Sequence, residues 1–178
     1  MKSLFIAPHN DDETLWGAFT LMREKPVVVV ITDSFIQANR GENITYFQRR
    51  EETINAMKIL GCLSFFLGIP DDNFSEARLN IQMPTFHNFD RVYVPAIQGG
   101  NPQHDIIGKV YQEMFGNRCK HYTTYTKTEP YTTGNIEIVP TIEEIELKDK
   151  ALDCYKSQIG NTNKVYFDAV RGRSEWLM

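Results

Sequence analysis

What this sequence lacks narrows it first. Its three cysteines, Cys62, Cys119 and Cys154, are scattered, odd in number and without a CxxC pair. Neither a disulfide framework nor a thiolate zinc site is readable, and a reducing compartment is expected. No apolar run approaches the roughly 20 residues that a bilayer demands, so no membrane span is expected. The opening "MKSLFIAPHNDDE" turns acidic before an apolar core can form, which argues against a secretory signal and makes a cytoplasmic location the expectation. Positive charge is not in excess: 19 Lys and Arg face 23 Asp and Glu, a net charge of −4. A chain held mainly by nucleic-acid phosphates or anionic lipid is thereby disfavoured. No GxSxG elbow is present and Ser34 has no base near it in sequence, so a serine nucleophile has little support. There is no repeat, low-complexity tract or linker, and residues 1–178 are expected to form a single domain.

What is present is an alternation of strand-like and helix-like segments. "SLFIAP" reads as a buried strand, and Asp11 to about Glu24 as a helix with Leu15, Ala18, Phe19 and Met22 on one face. "PVVVVITD" reads as a central parallel strand. A polar loop over 34–43 follows, then a helix from Thr45 to Leu60 stopped by Gly61. "CLSFFLG" is the third strand, "IPDDN" a turn, and 74–83 a short helix. "DRVYVPA" is the fourth strand, and 102–115 a helix ending at Gly116. "KHYTTYT" and "GNIEIVP" are the fifth and sixth strands. A helix opened by the Thr141/Glu144 capping pattern runs to about Ile159. The residues from 165 onward fit neither period. The pattern implies an α/β, Rossmann-like three-layer fold with a mostly parallel central sheet. Ligands in such folds sit at the carboxyl ends of the strands. "PHNDDE", "TDSFIQANRGEN" and "IQGGNPQHD" all fall there.

The first of these carries one imidazole and three carboxylates within five residues, His9, Asp11, Asp12 and Glu13. A strand-end His and an Asp three residues on can turn toward one point, and both are ordinary zinc ligands. His104 is the best third ligand, leaving an open position for water and freeing Asp11 to act as general base. Helix capping by Asp11 or Asp12, with Glu13 filling the first turn, is the competing reading. A dinucleotide site is the rival on fold grounds, but the loop has no glycine before Gly17 and carries acids where phosphates would lie.

"APHNDDE" resembles the HPDDE signature of the LmbE-like (PIG-L) family of zinc-dependent N-acetylglucosaminyl de-N-acetylases. "RREETINAMKILG" is similar to the family's RxxExxxAxxxLG helix through Arg49, Glu52, Ala56, Leu60 and Gly61. "LGIPDD" is similar to its LGxPD turn, "NPQHDIIG" to its HPDH segment, and "KDKALDCYKSQ" to its late helix ending in Ser157 and Gln158. The resemblance implies one zinc per chain on His9, Asp12 and His104, with Asp11 as general base. Arg49 and Asp71 would lie near the sugar or its aglycone, and Glu13 would support by orienting His9 or the backbone. It implies hydrolysis of the N-acetyl group of an N-acetylglucosamine-type amino sugar, a small-molecule substrate with no nucleic acid involved; a homo-oligomer stays open. Asn10 replaces the motif proline, which would loosen a turn. Asn101 replaces the first His of HPDH, whose role is to stabilise the oxyanion or protonate the leaving amine; Asn101 can donate a hydrogen bond but is no acid. Gln103 replaces the Asp that orients the ligand His104, a task Asp105 takes over only if the loop allows it. These departures keep two alternatives in view: a metal-binding module with little deacetylase activity, or a metal hydrolase acting on another amide or ester bond.

Other residues are weighed against blander roles. His121 is expected to be structural and His87 is given no role. Tyr122, Tyr125 and Tyr131 either stack on a sugar face or fill a half-buried sheet. Trp16 packs in the first helix and stands close enough to line the pocket. Arg40, Arg49 and Arg50 would make the mouth positive, although Arg50 fits a solvated helix face.

Overall fold

A computed structural model describes residues 1–34, 44–71, 74–76, 78–79, 88–160 and 163–178. The chain begins β1 (Ser3–Ala7), α1 (Asp12–Glu24), β2 (Val27–Thr32), α2 (Tyr46–Leu60), β3 (Leu63–Ile69), β4 (Arg91–Pro95) and α3 (Pro102–Phe115). It continues with β5 (Cys119–Tyr122), β6 (Ile136–Ile138), α4 (Ile142–Leu152), α5 (Lys156–Ile159), α6 (Lys164–Val170) and β7 (Glu175–Leu177). Much of the expected 34–43 loop, of the 74–83 helix and of the "IPDDN" turn lies outside the described residues, as do Arg40 and His87.

The strands form one seven-stranded sheet in the order β3-β2-β1-β4-β5-β7-β6. The first five run parallel, while β7 runs against both β5 and β6. Burial on both faces follows from the two-residue period of a strand. Phe5, Ala7, Val28, Val30 and Tyr93 pack against α1, α2 and α4 through Leu15, Ala18, Met57, Leu60 and Ala151. Their neighbours Leu4, Ile6, Val29, Ile31, Val92 and Val94 pack against α3 through Ile107, Val110, Tyr111 and Phe115. Strand order reverses between β1 and β4, which opens the crevice where ligands bind in such sheets.

Helix ends follow local chemistry. Thr45, Asn101 and Thr141 each accept a backbone N–H from the first turn of α2, α3 and α4. Gly61 closes α2 in the left-handed region at φ 71°. The expected helix from Thr141 to Ile159 breaks after Leu152, and α5 restarts at Lys156. No glycine or proline causes the break. Tertiary contacts do: Tyr155 reaches Thr14 at 2.9 Å, and Glu52 takes the Ser157 amide and hydroxyl at 2.8 and 2.6 Å. The ambiguous tail becomes α6 and β7.

Strand β7 is tied into α1 by a buried ion pair. Glu175 accepts the Phe19 amide at 3.1 Å and that of Thr20 at 3.4 Å. Lys148 donates to Glu175 at 2.9 Å and to the Leu15 carbonyl at 3.0 Å. Phe19 N–H and Leu15 C=O are i and i−4, the pair a regular helix would join to each other. The ion pair thus grips α1 at two backbone groups one turn apart.

Candidate active site

His9, Asp11 and Asp12 sit at the turn between β1 and α1, and His104 lies in the first turn of α3, after β4. The sheet reversal brings these two turns together. His9 Nδ1 lies 2.9 Å from Asp12 Oδ2, His104 Nε2 lies 3.1 Å from the same oxygen, and the two nitrogens are 3.2 Å apart. Three donor atoms thus form a near-equilateral triangle, close enough together to hold one metal ion. A tetrahedral metal with bonds of roughly 2.0–2.1 Å sets its ligand atoms about 3.3 Å apart. Two imidazoles and a carboxylate fit such a metal in chemistry and in spacing.

The charge balance points the same way. His9 is pushed up to about 9: burial opposes its protonation, but the hydrogen bond and charge of Asp12, with Asp71 and Asp11, outweigh it. Asp12 is buried, yet the two imidazoles hold its carboxyl well below the usual range. A shared proton satisfies the His9–Asp12 pair; a divalent cation satisfies all three groups at once, displacing that proton.

Supporting contacts fix the donors. Trp16 Nε1 donates to Asp12 Oδ1 at 3.0 Å, one helical turn on, while Oδ2, the triangle corner, also accepts the His9 amide at 2.9 Å. Gln103 Nε2 donates to the Asp71 carbonyl at 3.1 Å, which turns Gln103 Oε1 to His9 Nε2 at 2.5 Å. His9 therefore carries a hydrogen on Nε2 and presents Nδ1 to the triangle. The expectation for Gln103 is corrected: position 103 acts on His9, not on His104. Asp105 does not take over either, because it accepts the Gln98 and Gly99 amides at 3.0 and 3.1 Å. His104 Nδ1 has no partner among the described residues.

Asp11 occupies the N-cap position of α1 but makes no side-chain cap bond. Its carboxylate instead pairs with buried Arg49 Nη2 at 3.0 Å. The capping reading of Asp11 is thereby set aside. Arg49 Nε and Nη1 are buried without a partner among the described residues, as is Asp71 Oδ1. Asn10 does not loosen its turn: its side chain meets Ser34 Oγ at 3.1 Å and Thr53 Oγ1 at 3.5 Å. Glu13 does not orient His9. It is fully buried and hydrogen-bonded to Tyr155, and burial pushes its carboxyl up to about 8 against the pull of that bond.

His9, Asp11, Asp12, Arg49, Asp71, Asn101 and Gln103 line one pocket of about 250 Å³. Trp16, Tyr125, Tyr166 and Phe167 add an aromatic wall. The α6 contribution had no readable signal, because a seven-residue helix at the end of an aperiodic tail announces nothing. Of Tyr122, Tyr125 and Tyr131, only Tyr125 faces the pocket. Tyr122 donates to the Ile6 carbonyl at 2.7 Å and Tyr131 to that of Ser174 at 2.7 Å. His121 pairs with Gln112 at 2.7 Å, a structural contact. Arg50 lies between the Tyr46 and Phe66 rings, 4.6 Å from each, rather than on a solvated face.

The model of the GlcNAc-PI de-N-acetylase (PIG-L) family matches residues 4–115, and the chain belongs to that family. Those residues include every corner of the donor triangle; the Tyr125 and Tyr166 wall lies beyond them. The fold is similar to that of the N,N'-diacetylchitobiose deacetylase of Pyrococcus horikoshii, with TM-score 0.71, 19% identity and coverage of 99% of this chain and 82% of that one. It is similar to the conserved protein TT1542 of Thermus thermophilus, with TM-score 0.71, 20% identity and coverage of 100% and 94%. The 4-carboxy-2-hydroxymuconate hydratase of Pseudomonas putida KT2440 shares it too, with TM-score 0.72, 15% identity and coverage of 100% and 95%. No protein of curated function matches the chain. Among the described residues no helix is long and apolar enough to cross a membrane.

Proposed function

We propose that this protein is a metal-dependent N-deacetylase acting on an N-acetylglucosamine-type amino sugar. The observation that carries the reading is the donor triangle of His9, Asp12 and His104 beside the Asp11–Arg49 pair, in a member of a de-N-acetylase family. One zinc ion held by those three side chains would supply Lewis acidity to the acetyl carbonyl and to water. Asp11, held by Arg49, takes a proton from the attacking water. The water oxygen bonds to the acetyl carbon, the C–N bond breaks, and Asp11 returns the proton to the leaving nitrogen. Acetate and the free amine result. Arg49, whose Nε and Nη1 have no partner among the described residues, and Asp71 meet hydroxyl or anionic groups of the sugar. Asn101, the cap of α3, is no acid and does not protonate the leaving nitrogen.

Acetate release from a panel of N-acetylglucosamine derivatives, with and without chelator, tests the reading. Activity lost to chelator and restored by zinc is expected. Asp11→Asn is expected to retain one zinc per chain and to lose about 10²–10⁴-fold in kcat. Full rate in that variant would sink Asp11 as the base. The second reading, a metal-binding module with little turnover, is favoured by Asn101 where the family has an acid. Tight zinc binding with no acetate released from any derivative would establish it. Turnover of another amide or ester bond would establish the third.

A further inference from the structure

Asn101 is not isolated. Its Oδ1 accepts the Gln103 amide at 2.8 Å as the cap of α3, which fixes the side chain. Its Nδ2 then donates to the phenol oxygen of Tyr125 at 3.2 Å. A phenol has one proton to give. Tyr125 receives from Asn101 and donates to no partner among the described residues, so its own O–H is left for whatever enters the pocket. A hydrogen bond received at the oxygen also strengthens the one it gives.

The phenol is held as a preorganised group must be. The Tyr125 ring lies 4.6 Å from Tyr166, 6.0 Å from Trp16 and, edge to face at 65°, 5.4 Å from His104. The contact with His104 places it on that ligand's flank of the donor triangle. The two loops that meet here are latched: Gln98 accepts the Thr124 amide at 2.8 Å and donates to Thr132 at 2.9 Å. Gly100 permits the closeness, since a Cβ there would fall 2.2 Å from the Tyr125 carbonyl oxygen.

We propose that Tyr125 is a catalytic residue whose phenol, aimed by Asn101, donates a hydrogen bond to the acetyl oxygen as negative charge develops on it. This rests on the deacetylase reading above. Asn101 thereby serves as a positioning residue. Tyr125 lies outside the residues matched by the family model, whereas Asn101 lies within them.

Tyr125→Phe keeps the ring and its packing and removes only the hydroxyl. In zinc-loaded protein kcat is expected to fall about 10²–10³-fold with KM little changed, the loss typical of one oxyanion donor. Calorimetry gives a readout free of turnover. The methylphosphonamide of glucosamine, a tetrahedral oxyanion mimic, should bind the variant at least about tenfold more weakly. Zinc itself and glucosamine should bind both proteins alike. Asn101→Asp keeps the cap but turns donor into acceptor, drawing the phenol proton out of the pocket, and should reproduce the loss. Wild-type kcat and mimic affinity in Tyr125→Phe would overturn the proposal and leave the deacetylase reading standing. Mimic binding to neither protein, with no acetate released by the wild type, would overturn both.

Discussion

Gln103 shows how much one side chain can decide. Its amide joins the Asp71 carbonyl to His9 Nε2 and so fixes which imidazole nitrogen faces the donor triangle. An amide holds a ligand His by geometry without adding charge. Gln103→Leu is expected to free the His9 ring and weaken zinc binding about 10–100-fold, the usual effect of losing such a partner. Competition with a chromogenic chelator measures it; unchanged affinity would mean that Asp12 alone orients His9. The same residue shows what spacing hides. His9, Asp12 and His104 were legible because strand-end position and residue type suffice to nominate ligands. The partner of Gln103 was not, because adjacency to His104 in sequence says nothing of which imidazole its side chain meets across the crevice.

Among the elements, α4 carries the clearest local signal. Thr141 accepts the Glu144 amide at 3.2 Å and Glu144 accepts the Thr141 amide at 2.8 Å, the reciprocal cap legible from Thr-x-x-Glu. Arg23 of α1 then grips Glu144 through Nε and Nη2, both at 2.7 Å. That grip, helped by the Thr141 amide and opposed by burial, lowers the carboxyl below its ordinary value. A carboxyl lowered in the folded state contributes stability above its unfolded value and loses it as pH falls through the folded one. Glu144→Gln keeps the cap and removes the charge. It should cost about 0.5 kcal/mol at neutral pH, because Arg23 is partly exposed. In urea titrations the difference should vanish below the ordinary carboxylate range; a difference that persists there would mean packing, not charge.

Across the molecule, the Lys148–Glu175 pair is the fastening that no local pattern predicts. It joins α4, β7 and the middle of α1, the helix whose first residue, Asp12, is a corner of the donor triangle. Lys148→Met leaves Glu175 buried and unpaired and is expected to cost about 3–5 kcal/mol. The double variant Lys148→Met, Glu175→Leu leaves neither charge buried alone, so its cost should fall well short of the sum of the two singles. Equilibrium unfolding of the three variants decides it; simple additivity would refute the coupling of the pair.

The sequence by itself determined the alternation of strands and helices, the two-faced burial of β1, β2 and β4, the caps at Thr141 and Gly61, and the residues of the donor triangle. Each depends on near neighbours along the chain: a two-residue strand period, a cap three residues from its amide, ligands at a strand end. Only the tertiary structure decided the break at 153–155, the inward turn of Glu13 to Tyr155, the hold of Gln103 on His9 and the choice of Tyr125 over Tyr122 and Tyr131 for the pocket. Those follow from side chains that meet across dozens of residues. Which of them meet is settled by the reversal of strand order between β1 and β4 and by the docking of β7 on α1.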